Sequence, residues 1–415
     1  MHDYFLFITI VFLILSCSES QQQNEFKPTD ELPILQGLPD PFLRKDGNRI
    51  KNKSEWNSHR TYLQKMLSHY MYGEMPPAPD TLRIEPISFR QLFNGQMVEE
   101  IFYVVLSRNG KDVRFKTGIR RPNKPGKFPI IIKNDSWLFN ISEVVDTNKQ
   151  QRYISMGRDK IEDWVAKEAL NRKYIICKFN RNQVAPDHPK AIENGVLSLY
   201  PEYNWGTIAA WAWAYKLLID YFEGLDYIDL NKIVATGHSR GGKTALCAGV
   251  YEDRIAVTAP SSSGAGGTAS WKYFDNEHEK QLISHHKEHY PHWWTSRLYQ
   301  FANKEAFLPF DAHFQKALIA PRGLINVHSR EDYWANPYGT YLTYLAADKV
   351  YNWLGVKNHQ GIHWRNGRHN QNYEDWKAIF EFCDQYFFDK KSNIDFTKNP
   401  YPEKYTFDGL INYSG

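Results

Sequence analysis

The sequence predicts an α/β fold, a three-layer sandwich in which a mostly parallel central sheet is flanked by helices. Two observations predict it. From residue 128 onward, short apolar runs alternate with runs at helical spacing, the pattern of parallel strands joined by crossover helices. A Gly-x-Ser-x-Gly segment then falls where one such run passes into a helix, a context that this motif requires.

Taken in order, the elements begin with residues 18–50, which are polar and hold Pro28, Pro33, Pro39 and Pro41; they are expected to form an extended arm rather than a packed element. From Ser54 to Tyr72 apolar residues recur at helical spacing and stop at Gly73, so a surface helix is expected there. Val98 to Leu106 and Val113 to Arg120 are β-rich and separated by Asn109-Gly110, a hairpin signal. Candidate parallel strands follow at Phe128 to Lys133, Tyr174 to Phe179, Lys232 to Thr236, Ile255 to Pro260 and Leu324 to His328, with a last one around Ile362-His363-Trp364. Helices are expected at about Trp205 to Glu223, Gly241 to Tyr251, Pro337 to Leu354 and Tyr373 to Phe388.

Composition narrows the function class. With 51 basic against 47 acidic residues the net charge is only +4, too small and scattered for a nucleic-acid surface. Aromatic residues make up 15%, enough to supply both a bulky core and flat platforms for cyclic substrates. The apolar run Tyr4 to Leu15 is short for a membrane span and is followed at once by Ser16-Cys17, which reads as an export signal. Leu15-Ser16-Cys17 resembles a bacterial lipobox with Cys17 as the lipidated residue, although His2 and Asp3 stand where a basic residue is usual. The expected organisation is a lipoprotein signal peptide over 1–17, a polar tether over 18–50, a catalytic domain over 51–390 with an insertion at about 261–320, and a tail over 391–415. Cys177, Cys247 and Cys383 lie in apolar surroundings and read as core residues, not a disulfide framework.

Gly237-His238-Ser239-Arg240-Gly241 fits the nucleophile elbow of the α/β-hydrolase fold. So sharp a turn needs small neighbours, which Gly237 and Gly241 supply, and the helix that follows offers N–H groups to an oxyanion. In this fold the acid and then the histidine follow the serine along the chain. His369 follows the last expected strand and precedes the final helix, whereas His363 lies within that strand and His359 before it. A base of this kind needs a carboxylate behind it, and Glu331-Asp332 comes directly after the run ending at His328; Asp332 is favoured and Glu331 stands second. His278, His285, His286, His289 and His292 crowd one region, but Leu282 occupies the position where H-E-x-x-H needs its second histidine, and interleaved charges suggest a solvated helical face. No metal and no cofactor is expected.

Gly237 to Leu246 (GHSRGGKTAL) is more specific than a generic hydrolase motif. With Tyr72-Gly73, Trp205-Gly206 leading to Trp211 and Trp213, Ser263-Gly264-Ala265-Gly266-Gly267, Leu308-Pro309-Phe310-Asp311, Ala320-Pro321-Arg322-Gly323 and Trp334, it resembles the glucuronoyl esterases, carbohydrate esterase family 15. The resemblance implies that Arg240 directs its guanidinium at the oxyanion, that Lys243 bonds the hydroxyls of a uronate ring and that Trp334 lines the sugar pocket. One departure is Ser262, which stands where many members carry the triad glutamate; this favours the acid after the seventh strand and loosens the substrate assignment.

The expected activity is therefore hydrolysis of uronic acid esters in plant polysaccharide, a glucuronoyl ester cleavage with Ser239 as nucleophile. Alternatives are a methyl esterase on a pectic or algal uronate, and a glycan-binding lipoprotein whose esterase site has decayed. The expected partner is a uronic-acid polysaccharide or its ester conjugate, with no nucleic acid and no membrane beyond the lipid anchor. An exported bacterial lipoprotein, periplasmic or at the outer membrane or cell surface and acting as a monomer, completes the expectation.

Overall fold

Asn109-Gly110 sets the first register. Asn109 (φ 49°) and Gly110 (φ 74°) both take the left-handed backbone that a two-residue hairpin turn demands, so Arg108 faces Lys111. The strands it joins are β2 (Met97–Arg108) and β3 (Lys111–Pro122), and β1 (Thr81–Leu92) pairs antiparallel on the outer side of β2. The sequence gives little sign of β1, because its residues are exposed or half-buried along their length and the register shifts between Pro86 and Ser88.

The computed structural model describes residues 26–413 apart from Val145, 276–279, 402–406 and 408. Within them the remaining strands are β4 (Phe128–Asp135), β5 (Ile175–Asn180), β6 (Ile228–His238), β7 (Ile255–Ser261), β8 (Gly323–Ser329) and β9 (Gln360–Arg365), in the sheet order β1-β2-β3-β5-β4-β6-β7-β8-β9. From β5 to β9 every neighbouring pair is parallel. Such strands are covered on both faces and read as unbroken apolar runs: Ile130 and Ile132 pack on one face of β4, Ile131 on the other.

The larger core, on the first face, lies under helices Trp56–Leu67, Thr207–Phe222 and Arg240–Tyr251. Thr207–Phe222 is apolar and buried along nearly its whole length, Trp211 and Trp213 included, apart from a partly exposed strip where Lys216 pairs with Asp220. Each large apolar side chain so buried contributes about 1.5–3 kcal/mol. On the second face lie Arg158–Arg172 and Tyr373–Phe388, through Ile161, Val165, Trp376 and Ile379. The sequence does not announce Arg158–Arg172: its buried stripe is interrupted by Glu162, which is itself buried and accepts from Lys178 at 2.9 Å. Cys177, Cys247 and Cys383 are free and buried.

Two terminal segments depart from expectation. Residues 26–50 contain little regular structure, yet Leu38, Phe42 and Ile50 are buried, so this part of the arm is packed. The C-terminal segment meets it: Leu38 N–H donates to the carbonyl of Leu410 at 2.7 Å, and Tyr413 packs against Leu38 and Leu342. Scattered apolar residues among prolines give no periodicity to read, which is why the first reads as a tether and the second as a tail. Cys17 and the export signal lie outside the described residues. No helix among the described residues is long and apolar enough to cross a membrane.

The strand order reverses about β4. The chain leaves β4 for β5 on one side and returns to β6 on the other, and the crevice above their carboxyl ends is where open α/β sheets bind ligands. Between β7 and β8 the described residues make no strand of the sheet; they include the short helix Ile283–His289 and fold back so that Thr207 N–H donates to the carbonyl of His292 at 2.8 Å.

Candidate active site

At the carboxyl end of β6 the backbone turns on Ser239, with φ 58° and ψ −122°, and enters the helix Arg240–Tyr251. A non-glycine residue in this region carries about 1–3 kcal/mol of strain, which the surroundings must hold. They do so by close approach. A Cβ on Gly237 would stand 2.2 Å from the carbonyl oxygen of Gly241, and one on Gly241 would meet the Asn134 carboxamide at 2.8 Å. Asn134, at the end of β4, clamps the turn by donating to the carbonyl of Gly241 at 2.9 Å and to the Tyr215 hydroxyl at 2.7 Å. At the start of the following helix the N–H groups of Gly242 and Lys243 donate to the carbonyl of Ser239, at 2.8 and 3.1 Å, while those of Arg240 and Gly241 have no acceptor within the helix and begin it beside the serine.

Ser239 donates its hydroxyl to Nε2 of His369 at 2.9 Å. Nδ1 of the same ring lies 2.7 Å from Oδ2 of Asp332; a carboxylate can only accept, so the ring donates there and Nε2 is left as the acceptor. Asp332 is buried in the turn after β8, and burial pushes its carboxyl up while the hydrogen bond and charge of His369 outweigh that and hold it below the usual carboxylate range. Glu331 is solvent-exposed, so of the two candidate acids it is Asp332 that meets the ring. His238 packs its ring 4.7 Å from that of His369 and is kept neutral, first by burial and then by the neighbouring His369. His369 rides on the loop between β9 and Tyr373–Phe388. Arg365 secures this loop: its guanidinium donates to Asp375 at 2.7 Å and to the carbonyls of Asn366, Arg368 and Asn370.

Arg240 is fixed from the side. Its guanidinium pairs with Asp187 and lies 5.0 Å above the ring of Trp293, while Asp187 also accepts from His292 at 3.0 Å and from Trp293 at 2.8 Å. The insertion thus builds the wall that holds Arg240 beside Ser239. Lys243 is engaged by the protein itself. Its ammonium is buried and donates to the carbonyls of Ser263 and Ala265, the latter at 2.6 Å, and to Gln281 at 3.4 Å, so its donors are spent on the glycine-rich turn. Trp334 is half-buried in the turn after Asp332 and meets the edge of His285 at 4.9 Å. The histidine region is also only in part the solvated face expected: Lys287, Glu288 and His289 are exposed, but His286 is buried among Trp271, Trp293 and Trp294 and accepts from the indole of Trp294 at 3.0 Å. His278 lies outside the described residues. Among the described residues no cluster of His, Cys, Asp and Glu could hold a metal ion.

The hydroxyl, imidazole and carboxylate thus form a line of hydrogen bonds at the mouth of a cavity of about 240 Å³, whose walls include His238, Arg240, Trp137 and Trp376. A serine so placed can lose its proton to the ring as it attacks a carbonyl, which is the chemistry of acyl transfer. Residues 104–355 match the family model described as glucuronyl esterase, fungi. The chain belongs to the glucuronyl esterase family. This esterase, a carboxylic ester hydrolase, is 30% identical over 399 residues to carbohydrate esterase MZ0003 from an unknown prokaryotic organism, covering 84% of this chain and 89% of that one. It is 27% identical over 356 residues to the 4-O-methyl-glucuronoyl methylesterase of Thermothelomyces thermophilus, covering 82% and 79% of the two chains. In three dimensions the esterase is similar to a carbohydrate esterase family 15 glucuronoyl esterase from Caldicellulosiruptor kristjansonii, with a TM-score of 0.74, 26% identity and coverage of 92% and 98%.

Proposed function

We propose that the chain cleaves esters formed between the carboxyl group of a uronic acid and an alcohol, with 4-O-methyl-glucuronoyl esters of plant polysaccharide as the substrate class. The observation that carries this is the unbroken sequence of contacts from Ser239 through His369 to Asp332, on a chain whose relatives are named for that ester. His369 takes the proton of Ser239 as its oxygen attacks the uronate C6 carbonyl, and the charge that develops on the carbonyl oxygen is met by backbone N–H groups and by Arg240. His369 then returns the proton to the departing alcohol, and water repeats the sequence to release the uronate. Asp332 serves as the acid because Ser262, just past β7, has no carboxylate to offer. Trp334 borders the sugar from the insertion side, and Lys243 supports that side through the carbonyls of Ser263 and Ala265 rather than by bonding ring hydroxyls itself.

Hydrolysis of methyl and benzyl glucuronate beside methyl galacturonate tests the substrate class. Faster turnover of the glucuronates supports it; exclusive turnover of the galacturonate makes the enzyme a pectic methyl esterase instead. A fluorophosphonate should label Ser239 in the folded protein, and failure to label it would mean a glycan-binding protein. We further read the chain as an exported monomer held to a bacterial membrane by a lipid on Cys17, which mass spectrometry of the mature N-terminus and sedimentation of the lipid-free form would test.

A further inference from the structure

The cavity beside Ser239 is charged in a way that ester hydrolysis itself does not require. Six basic side chains line it against two carboxylates, Asp135 and Glu162. Both acids are already engaged: Glu162 accepts from Lys178 at 2.9 Å, and Asp135 stands 3.2 Å from Lys133, 3.7 Å from Lys178 and 3.9 Å from Arg181. Arg158 lies on the ring of Tyr153 at 4.0 Å and forms no ion pair among the described residues. Gln371 is only 5% exposed, lines the same cavity, and neither its oxygen nor its nitrogen meets a protein partner among the described residues. A buried carboxamide left open in a wall of cations is a group that a polar ligand would complete.

At about 240 Å³ the chamber falls below the range of about 300–1,000 Å³ that encloses a whole drug-sized ligand, so it suits one part of a substrate. His369 and Gln371 share one loop and one wall of it, and His369 is the residue whose Nε2 would protonate a leaving oxygen. Lys243 and Trp334, on the insertion side, do not line it.

We propose that this chamber receives the departing alcohol and selects alcohols that carry a carboxylate. The inference rests on the esterase reading above and names the other half of its substrate. The bond that breaks is the acyl C–O bond; the departing oxygen takes the proton held by His369, and the distal carboxylate remains unchanged while Arg158 and Gln371 hold it.

The test compares two glucuronate esters, one of benzyl alcohol and one of 4-(hydroxymethyl)benzoate. Intact enzyme should show a kcat/KM about tenfold higher for the carboxylated ester, carried mainly in KM, as one charge-assisted contact would give. The preference should shrink as salt is raised. In Arg158→Gln the ratio of the two kcat/KM values should fall toward one, and Arg158→Lys should restore part of it. A ratio near one in the intact enzyme, or a preference indifferent to both salt and Arg158→Gln, overturns the proposal while leaving the esterase reading in place. Absence of turnover on both esters overturns the two together.

Discussion

Asp332 lies 2.7 Å from Nδ1 of His369, 37 positions earlier in the chain, and is almost fully buried behind the ring. The ring therefore keeps its proton on the side away from Ser239. Asp332→Asn preserves the shape but can donate to Nδ1, which favours the other tautomer and turns an N–H toward the serine. Such a change should lower kcat by roughly 10³–10⁴-fold with KM little altered. Glu331→Gln, at an exposed position, should leave kcat near its starting value. Steady-state kinetics on benzyl glucuronate distinguish the two acids, and a loss confined to Glu331→Gln would reverse their roles.

Ser239 at φ 58° sets catalysis against stability. Glycine adopts that backbone without strain, so Ser239→Gly should raise the unfolding free energy by about 1 kcal/mol once glycine's own entropic cost is subtracted, while Ser239→Ala keeps the strain. Both should be inactive. Denaturant midpoints of the two variants measure the difference, and equal midpoints would mean that the elbow stores no strain.

Much of this arrangement can be read from the sequence, for physical reasons that also mark where reading stops. Parallel strands covered on both faces are continuous apolar runs, so β4 to β9 stand out, and with them the helices Thr207–Phe222, Arg240–Tyr251 and Pro337–Leu354, whereas Arg158–Arg172 does not. The elbow carries its glycines, and the chain order of this fold points to Asp332 and His369. What sequence does not display is the support. Asn134 clamps the elbow from β4, 107 positions from Gly241, and Asp187 pins Arg240 from 53 positions away. Neither follows any local period. The end of β4 at the switch in strand order is a signal that could have drawn attention to Asn134. Lys243 is a further case, since nothing near it in the chain signals that the carbonyls of Ser263 and Ala265 fold over its ammonium.

That burial gives Lys243 a pH signature. Loss of solvent, and after it the nearby charge of Arg240, pushes its ammonium down to about 7, while Asp332 works weakly the other way. An unfolded lysine titrates near 10.4. Between these values the unfolded chain binds a proton that the folded chain does not, so folding stability rises with pH across the window. Above the unfolded value the contribution is complete, and it is lost as pH falls toward 7. The stability of the intact enzyme minus that of Lys243→Met should therefore increase by a few kcal/mol between about pH 7 and 10. Urea unfolding over that range measures it; a flat difference would mean that Lys243 keeps its proton when folded.

Arg365 is the least conspicuous contributor to the site, because it touches neither Ser239 nor His369. Its side chain and that of Asp375 are 1% and 0% exposed, and its guanidinium ties together three carbonyls of the loop that holds the catalytic imidazole. Removing one partner of a buried pair leaves the other charge uncompensated, at a cost of about 3–5 kcal/mol. Arg365→Met should thus destabilise the fold by that order, and it should also lower kcat at temperatures where the variant remains folded, since the loop no longer holds Nε2 of His369 at 2.9 Å from Ser239. A purely structural role predicts something different: activity per folded molecule would stay constant. Titrating the active serine with a fluorophosphonate while recording circular dichroism separates the outcomes, because a positioning role requires slower labelling of Arg365→Met at undiminished folded fraction.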